Sequence, residues 1–346
     1  MLSSLSALID RAFVIGFVVP ITILIASISI IFDDLEIVKQ LATAASAADG
    51  FQAVFIPLLF LWLCAILLEM INTSLYRFLE GYTWPMNRKS WKVARLKKFR
   101  KDSECIARIK VRLIENPKDP ELIDAYIKSA RSRAVMFPQA EGYILPTRFG
   151  NVIRSFEQYP KAMYGADGVA VWPLLLNVLP DDAKTQVSRS RAYVDMLVNL
   201  CLISFILGAF SLLWGGAHAV YGFSLCAMPE NCALESLKNE AMNLLCGALF
   251  ISASRLWYEL AIKFAIKWGV AVKAAFDVNL IALAEKLPFP FPSIQDERNE
   301  FWTQITQQVL YSQKFTPHDM GEREADEVDP EHAVRRNSAG GLQDSP

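Results

Sequence analysis

Charged residues set into long apolar stretches are the first place to look for chemistry here, because a charge at membrane depth is costly unless it is paired or used. Glu69, Asp195, Arg255 and Glu259 each lie at the edge of such a stretch or within it, and Arg255 and Glu259 stand four residues apart, on one helical face. One reading makes the four a gate or an ion-binding ring. The plainer reading, which is the expectation, makes them interfacial charges that snorkel or pair to fix helix packing. Dedicated catalytic signatures are missing. The three histidines, His218, His318 and His332, are scattered, and the sequence has no H-E-x-x-H, no cysteine pair of zinc spacing, no Walker A loop and no G-x-S-x-G. A metal hydrolase or P-loop ATPase is therefore disfavoured, and neither metal nor cofactor is expected. An enzyme built on dispersed carboxylates stays open.

Binding chemistry is plainer. From Arg88 to Lys101 the chain reads RKSWKVARLKKFRK, eight basic residues and no acid. Arg88, Lys89, Lys92, Arg95, Lys97, Lys98, Arg100 and Lys101, with Trp91 among them, suit anionic lipid headgroups. The same charges also serve as a simple topology determinant, and phosphate neutralisation gives nucleic acid as the weakest of the three readings. The acidic stretch Glu322–Glu331 offers a protein partner for them. Cys226 and Cys232 share one short segment, where a disulfide is allowed if that segment faces an oxidising compartment and two thiols otherwise.

The elements that must position these groups follow from hydropathy. Over half of the 346 residues, 53%, are hydrophobic, and mean hydropathy is +0.25, too apolar for an ordinary soluble chain. The net charge of −1 hides segregation: 22 Lys/Arg against 12 Asp/Glu over 72–191, and 5 against 11 over 296–346. Uncharged runs of 21, 19 and 19 residues cover 12–32, 50–68 and 196–214. Each reaches the roughly 20 residues that cross about 30 Å of hydrocarbon. A weaker fourth candidate, 241–262, is interrupted by Arg255 and Glu259. The first run outlasts the apolar core of a secretory signal, so Ala45–Ala47 is not expected to be a cleavage site.

The expected fold is all-α: about four transmembrane helices with a helical cytoplasmic domain between the second and third. Residues 1–76 form a first hairpin (spans 12–32 and 51–71), and 77–191 the basic cytoplasmic domain. A second hairpin follows over 192–262 (spans 195–214 and 241–262), then a helical extension over 263–312 and a disordered acidic tail over 313–346. The short loops at 33–49 and 215–240 are acidic while Arg88–Lys101 and Lys263, Lys267 and Lys273 are basic, which places both termini in the cytoplasm. Within the extension Val272, Phe276, Leu280 and Leu283 make an inward stripe, and Ser293 is expected to start a last helix with Phe301, Trp302, Ile305, Val309 and Leu310 on its apolar side. The apolar dozen Gly168–Leu179 is too short to span. It packs as cytoplasmic core or lies in the membrane interface, core packing being preferred.

Leu145–Leu175 carries a distinctive pattern: Leu145-Pro146-Thr147, Gly150-Asn151, Glu157, Tyr159-Pro160, Tyr164-Gly165, Asp167 and Trp172-Pro173. This LPTxxGN…ExYP…YGxD…WP segment resembles a family of uncharacterised bacterial integral membrane proteins, as does Ala274-Ala275-Phe276-Asp277. The family pattern has a basic residue where this chain has Met163. The resemblance implies a bacterial inner membrane and brings no activity. Arg148, Arg154, Glu157, Tyr164 and Asp167 are read either as a polar pocket near the membrane or as a buried ion-pair network. The leading function is a non-catalytic membrane protein that couples a cytoplasmic domain to a helical bundle, as scaffold or sensor, forming a homo-oligomer. An oligomeric channel or permeabilising component, and an enzyme acting on a lipid or lipid-linked substrate through Glu157 or Asp167, are the alternatives.

Overall fold

The computed structural model describes residues 11–31, 43, 50–224 and 230–315, and among these the chain is helical with no strand. The tail beyond residue 315, the loop over 33–49 apart from Thr43, His318, His332 and the surroundings of Cys226 and Cys232 lie outside the described residues. A turn at Arg11–Phe13 and a π-helical segment at Val14–Val18 lead into α1 (Val19–Ile31). Then come α2 (Phe51–Glu80), α3 (Lys89–Glu115), α4 (Pro120–Met136), α5 (Arg148–Glu157), α6 (Tyr159–Tyr164) and α7 (Gly168–Leu176). Two long helices, α8 (Asp181–Ser224) and α9 (Glu230–Lys286), precede α10 (Gln295–Tyr311).

Three segments are long and apolar enough to cross a membrane: Arg11–Ser29, Val54–Glu80 and Asp181–Ala217. Only 11% of the most apolar stretch of the second is buried, and Val54, Leu67 and Met70 are 69%, 61% and 73% exposed. In water that surface would oppose the fold; in lipid it is the surface the helix needs. The 57 residues of α9 contain 241–262, but this segment is not among the three.

The contacts divide the chain into two compact units, Met1–Ser155 with Asp182–Ala271, and Phe156–Asp181 with Val272–Pro346. In the first, the π-helical segment before α1 approaches α8 closely at Gly16, where an added Cβ would lie 3.3 Å from that of Asp195. The cause of the π-helical segment is legible. Pro20 has no N–H, so the Gly16 carbonyl four residues back loses its helical donor. The Val19 N–H instead reaches back five residues to Val14, and the buried Asn199 amide on α8 donates to the Gly16 carbonyl at 2.9 Å. Lower on α8, Cys201 is buried and the Ser254 hydroxyl of α9 donates to its carbonyl at 2.9 Å. Gly208 and Gly247 let α8 and α9 close in, since a Cβ on either would meet Ile251 or Leu212 inside 3.0 Å. The pair α3 and α4 is held by the T-shaped rings of Phe99 and Phe137 and by Arg133 over the Phe99 ring at 4.5 Å.

The second unit is built on α7, α10 and the last part of α9. Gly168, Ala170, Val171 and Leu175 are buried and Trp172 packs on Phe276, so this apolar dozen serves as core there. The stripe Val272, Phe276, Leu280 and Leu283 is buried as the spacing predicts. On α10, Phe301, Trp302 and Ile305 are buried, whereas Val309 and Leu310 are 44% and 49% exposed. The helix begins one residue after Ile294 rather than at Ser293.

Candidate functional site

Thr147 joins two helix ends among the described residues. α2 ends in a Schellman turn: Gly81, at φ 93°, donates to the Phe78 carbonyl and Tyr82 to that of Arg77, each at 3.0 Å. The neighbouring Glu80 carbonyl accepts from the Thr147 hydroxyl at 3.0 Å. The oxygen of that hydroxyl accepts in turn from the Gly150 N–H at 3.0 Å, as an N-cap does for a third helical residue. One side chain thus ties the carbonyl end of α2 to the amide end of α5. Gly150 has no room for a side chain, because a Cβ would collide with the Glu80 carbonyl. Asn151, fully buried, closes the loop: its amide nitrogen donates to the Leu145 and Thr147 carbonyls at 2.7 and 2.6 Å, and its oxygen accepts from the Leu145 N–H at 2.9 Å. The LPTxxGN residues form a latch between helices.

Arg148 extends the latch to α9. Its guanidinium donates to both oxygens of Glu259, at 2.8 and 2.7 Å, and Arg255 reaches the same carboxylate at 2.9 Å. The Arg148 and Glu259 side chains are 35% and 30% exposed, so the pair contributes on the order of 1 kcal/mol. Next to it, the buried Phe149 ring meets Tyr76 edge-on at 5.6 Å, and the Phe149 N–H donates to the Tyr258 hydroxyl at 3.4 Å. Arg95 of α3 is close enough to feel this cluster. Burial lowers its pKa from the ordinary arginine value, and Arg148 and Arg255 push the same way against Tyr258 and Glu259.

Asn72, Tyr76 and Glu80 recur every four residues along one face of α2. Above the latch on this face, Tyr76 and Asn72 donate to the Asp195 carboxylate at 2.8 and 2.9 Å. Asp195 is only 6% exposed, and Arg191, one turn back on α8, stands 3.7 Å away. A buried carboxylate so supplied with donors locks α2 to α8.

The sequence's four membrane-edge charges therefore have different surroundings. Arg255 and Glu259 are together, Asp195 is held by α2, and Glu69 is exposed. Of the five polar residues read as pocket or network, Arg148 holds Glu259 and Arg154 donates to the Tyr82 hydroxyl in the first unit. Tyr164 donates to Asp277 at 2.7 Å and Asp167 caps α7 in the second, the unit that also holds Glu157. Within the second unit Tyr159 joins Tyr164 on Asp277 at 2.9 Å, and Lys273 lies 5.0 Å over the Tyr159 ring.

Along Arg88–Lys101 most cations are exposed. Arg100 pairs with Glu141 through two bonds of 3.0 and 2.9 Å, Lys98 is 3.3 Å from Asp102, and Arg88 lies 5.8 Å over the Trp91 ring. Beside this run Trp84 is 77% exposed. No group of metal-ligating side chains is found among the described residues. That Thr147 caps the short helix after it was legible in the sequence; what sequence reasoning missed is the polar face of α2, the second bond of Thr147 to the Glu80 carbonyl, and the roles of Gly150 and Asn151. The four-residue spacing of Asn72, Tyr76 and Glu80 was the available signal. Comparisons with protein-family models, curated proteins and solved structures find no match to this chain.

Proposed function

We propose that this protein is a non-catalytic, multi-pass protein of a bacterial inner membrane that couples a cytoplasmic helical region to its membrane helices, as scaffold or sensor. The observation that carries the reading is the latch: Thr147, Gly150 and Arg148 fasten the short helix α5 to the end of a membrane-crossing helix, α2, and to α9 at once. α9 supports it by its continuity. It runs unbroken from Glu230 to Lys286, about 85 Å at 1.5 Å per residue, more than twice a bilayer's hydrocarbon. A disturbance at Glu259 therefore has a stiff element to act on.

In this reading 241–262 is a fourth span, both termini are cytoplasmic, and the Arg88–Lys101 segment with Trp84 and Trp91 rests on anionic lipid. The kinship with the LPTxxGN family belongs to the same proposal, with the latch as what its motif builds.

Hydrogen exchange on the full chain in micelles tests the coupling. Arg148→Ala is expected to speed exchange at 145–157 and also along α9 on both sides of Glu259, out to residues 272–286. A change confined to 145–157 would leave α5 a local structural piece and overturn the coupling.

A further inference from the structure

Asp195 lies in the first unit among polar groups that hold one another in place. Asn72 donates to its Oδ1 at 2.9 Å, and Asn199 stands one turn further along α8. Asn199 donates in turn to the Gly16 carbonyl at 2.9 Å, and Gly16 is the residue whose added Cβ would lie 3.3 Å from the Asp195 Cβ. Asn72, Asp195 and Asn199 are 5%, 6% and 0% exposed. We infer that this cluster binds a small monovalent cation such as sodium.

The chemistry comes from oxygens left without donors. The Oδ1 atoms of Asn72 and Asn199 are buried and accept no hydrogen bond. Neither amide can turn to hide its oxygen, because each nitrogen faces an acceptor, the Asp195 carboxylate in one case and the Gly16 carbonyl in the other. The oxygen and nitrogen of an amide are about 2.3 Å apart, which keeps the Asn72 Oδ1 within roughly 5 Å of the carboxylate. The Gly16 carbonyl, which Pro20 deprives of its helical donor, borders the same carboxylate. Irregular membrane helices that free such carbonyls are places where sodium is held.

The ligand set selects the ion. One carboxylate among neutral oxygens suits a singly charged hard cation. Transition metals prefer nitrogen and sulfur, and a calcium ion takes more negative charge than one carboxylate supplies. Asn72 and Tyr76 both donate to Oδ1, which leaves Oδ2 for the ion. Arg191 is the cation that now shares this oxygen, but it stands 3.7 Å away, beyond hydrogen-bond length, and its side chain is 59% exposed. Sodium would compete with it. Gly16, Asn72 and Asp195 belong to the three segments long and apolar enough to cross a membrane, where an ionisable group is costly unless it is paired or used. The inference needs only these segments and does not rest on the coupling reading.

Thermal unfolding of the full chain in uncharged micelles tests it, with sodium chloride replacing choline chloride at constant ionic strength so that screening stays the same. The midpoint is expected to rise by about 3 °C and to saturate, as for a ligand of the folded state. Asp195→Asn is expected to remove the rise, whereas Glu69→Gln, which alters an exposed carboxylate, leaves it. Arg191→Gln is expected to lower the sodium concentration of half effect about tenfold by removing the competitor. The same midpoint in sodium and in choline would overturn the site, and so would a rise that survives in folded Asp195→Asn. Should that variant fail to fold, an unchanged half-effect concentration in Arg191→Gln overturns it equally.

Discussion

Thr147, Gly150 and Asn151 show how few atoms hold a helix in place at the end of another. Each has a different reason to resist substitution. Gly150→Ala drives a methyl into the Glu80 carbonyl and is expected to destabilise the protein by about 1–3 kcal/mol, read as a lowered midpoint in thermal unfolding. Arg148→Ala and Glu259→Gln should not add. A double-mutant cycle is expected to give a coupling of about 1 kcal/mol, and strict additivity would mean the pair seen at 2.7 Å contributes nothing in solution. In the second unit, burial raises the Tyr164 and Tyr159 phenols, and their bonds to Asp277 raise them further. Because their folded pKa values stand above the ordinary tyrosine value near 10, this stabilisation is full below that pH and is lost as pH climbs through the folded values. Spectroscopic titration is expected to show two late-ionising tyrosines, and Asp277→Asn should bring both partway down. No change in that variant would leave burial as the only cause.

Among elements, α1 and α2 carry the clearest sequence-to-structure logic. The pairing of Pro20 with the Gly16 carbonyl and the Asn199 amide makes a compensation testable. Asn199→Leu alone removes the donor from a buried carbonyl and is expected to cost about 1–3 kcal/mol. Pro20→Ala restores an N–H to the helix, so the same Asn199 change in that background should cost far less. Equal costs in both backgrounds, measured by unfolding in micelles, would show that Asn199 acts for another reason. The helix boundaries at Asp119-Pro120, Asp181 and Leu287-Pro288 were legible because proline and capping residues act locally. The start of α10 and the exposed Val309 and Leu310 were not, because which turn of an amphipathic helix is covered depends on what packs against it.

For the whole molecule, the coupling reading predicts no passage of ions. Vesicles carrying the purified chain are expected to show flux no greater than empty ones across a range of voltages. Flux that disappears with Glu69→Gln or Arg255→Ala would replace coupling with the channel reading and make the membrane-edge charges its gate.

The sequence by itself determined what depends on composition and local period: an all-helical chain, apolar segments of membrane length, a basic run beside one of them, and the helix boundaries set by proline at Asp119-Pro120 and Leu287-Pro288. These follow because hydrophobicity, charge and proline act over a few residues. Only the tertiary structure decided the partners. Asn72 and Tyr76 meet Asp195 across more than a hundred residues, Thr147 caps two helix ends at once, and Arg148 finds Glu259 rather than a nearby acid. Such pairings are fixed by helix packing at a distance in sequence, where close approach at Gly16 and Gly150 selects one register out of many. A motif shows that these residues belong together; the fold shows what they hold.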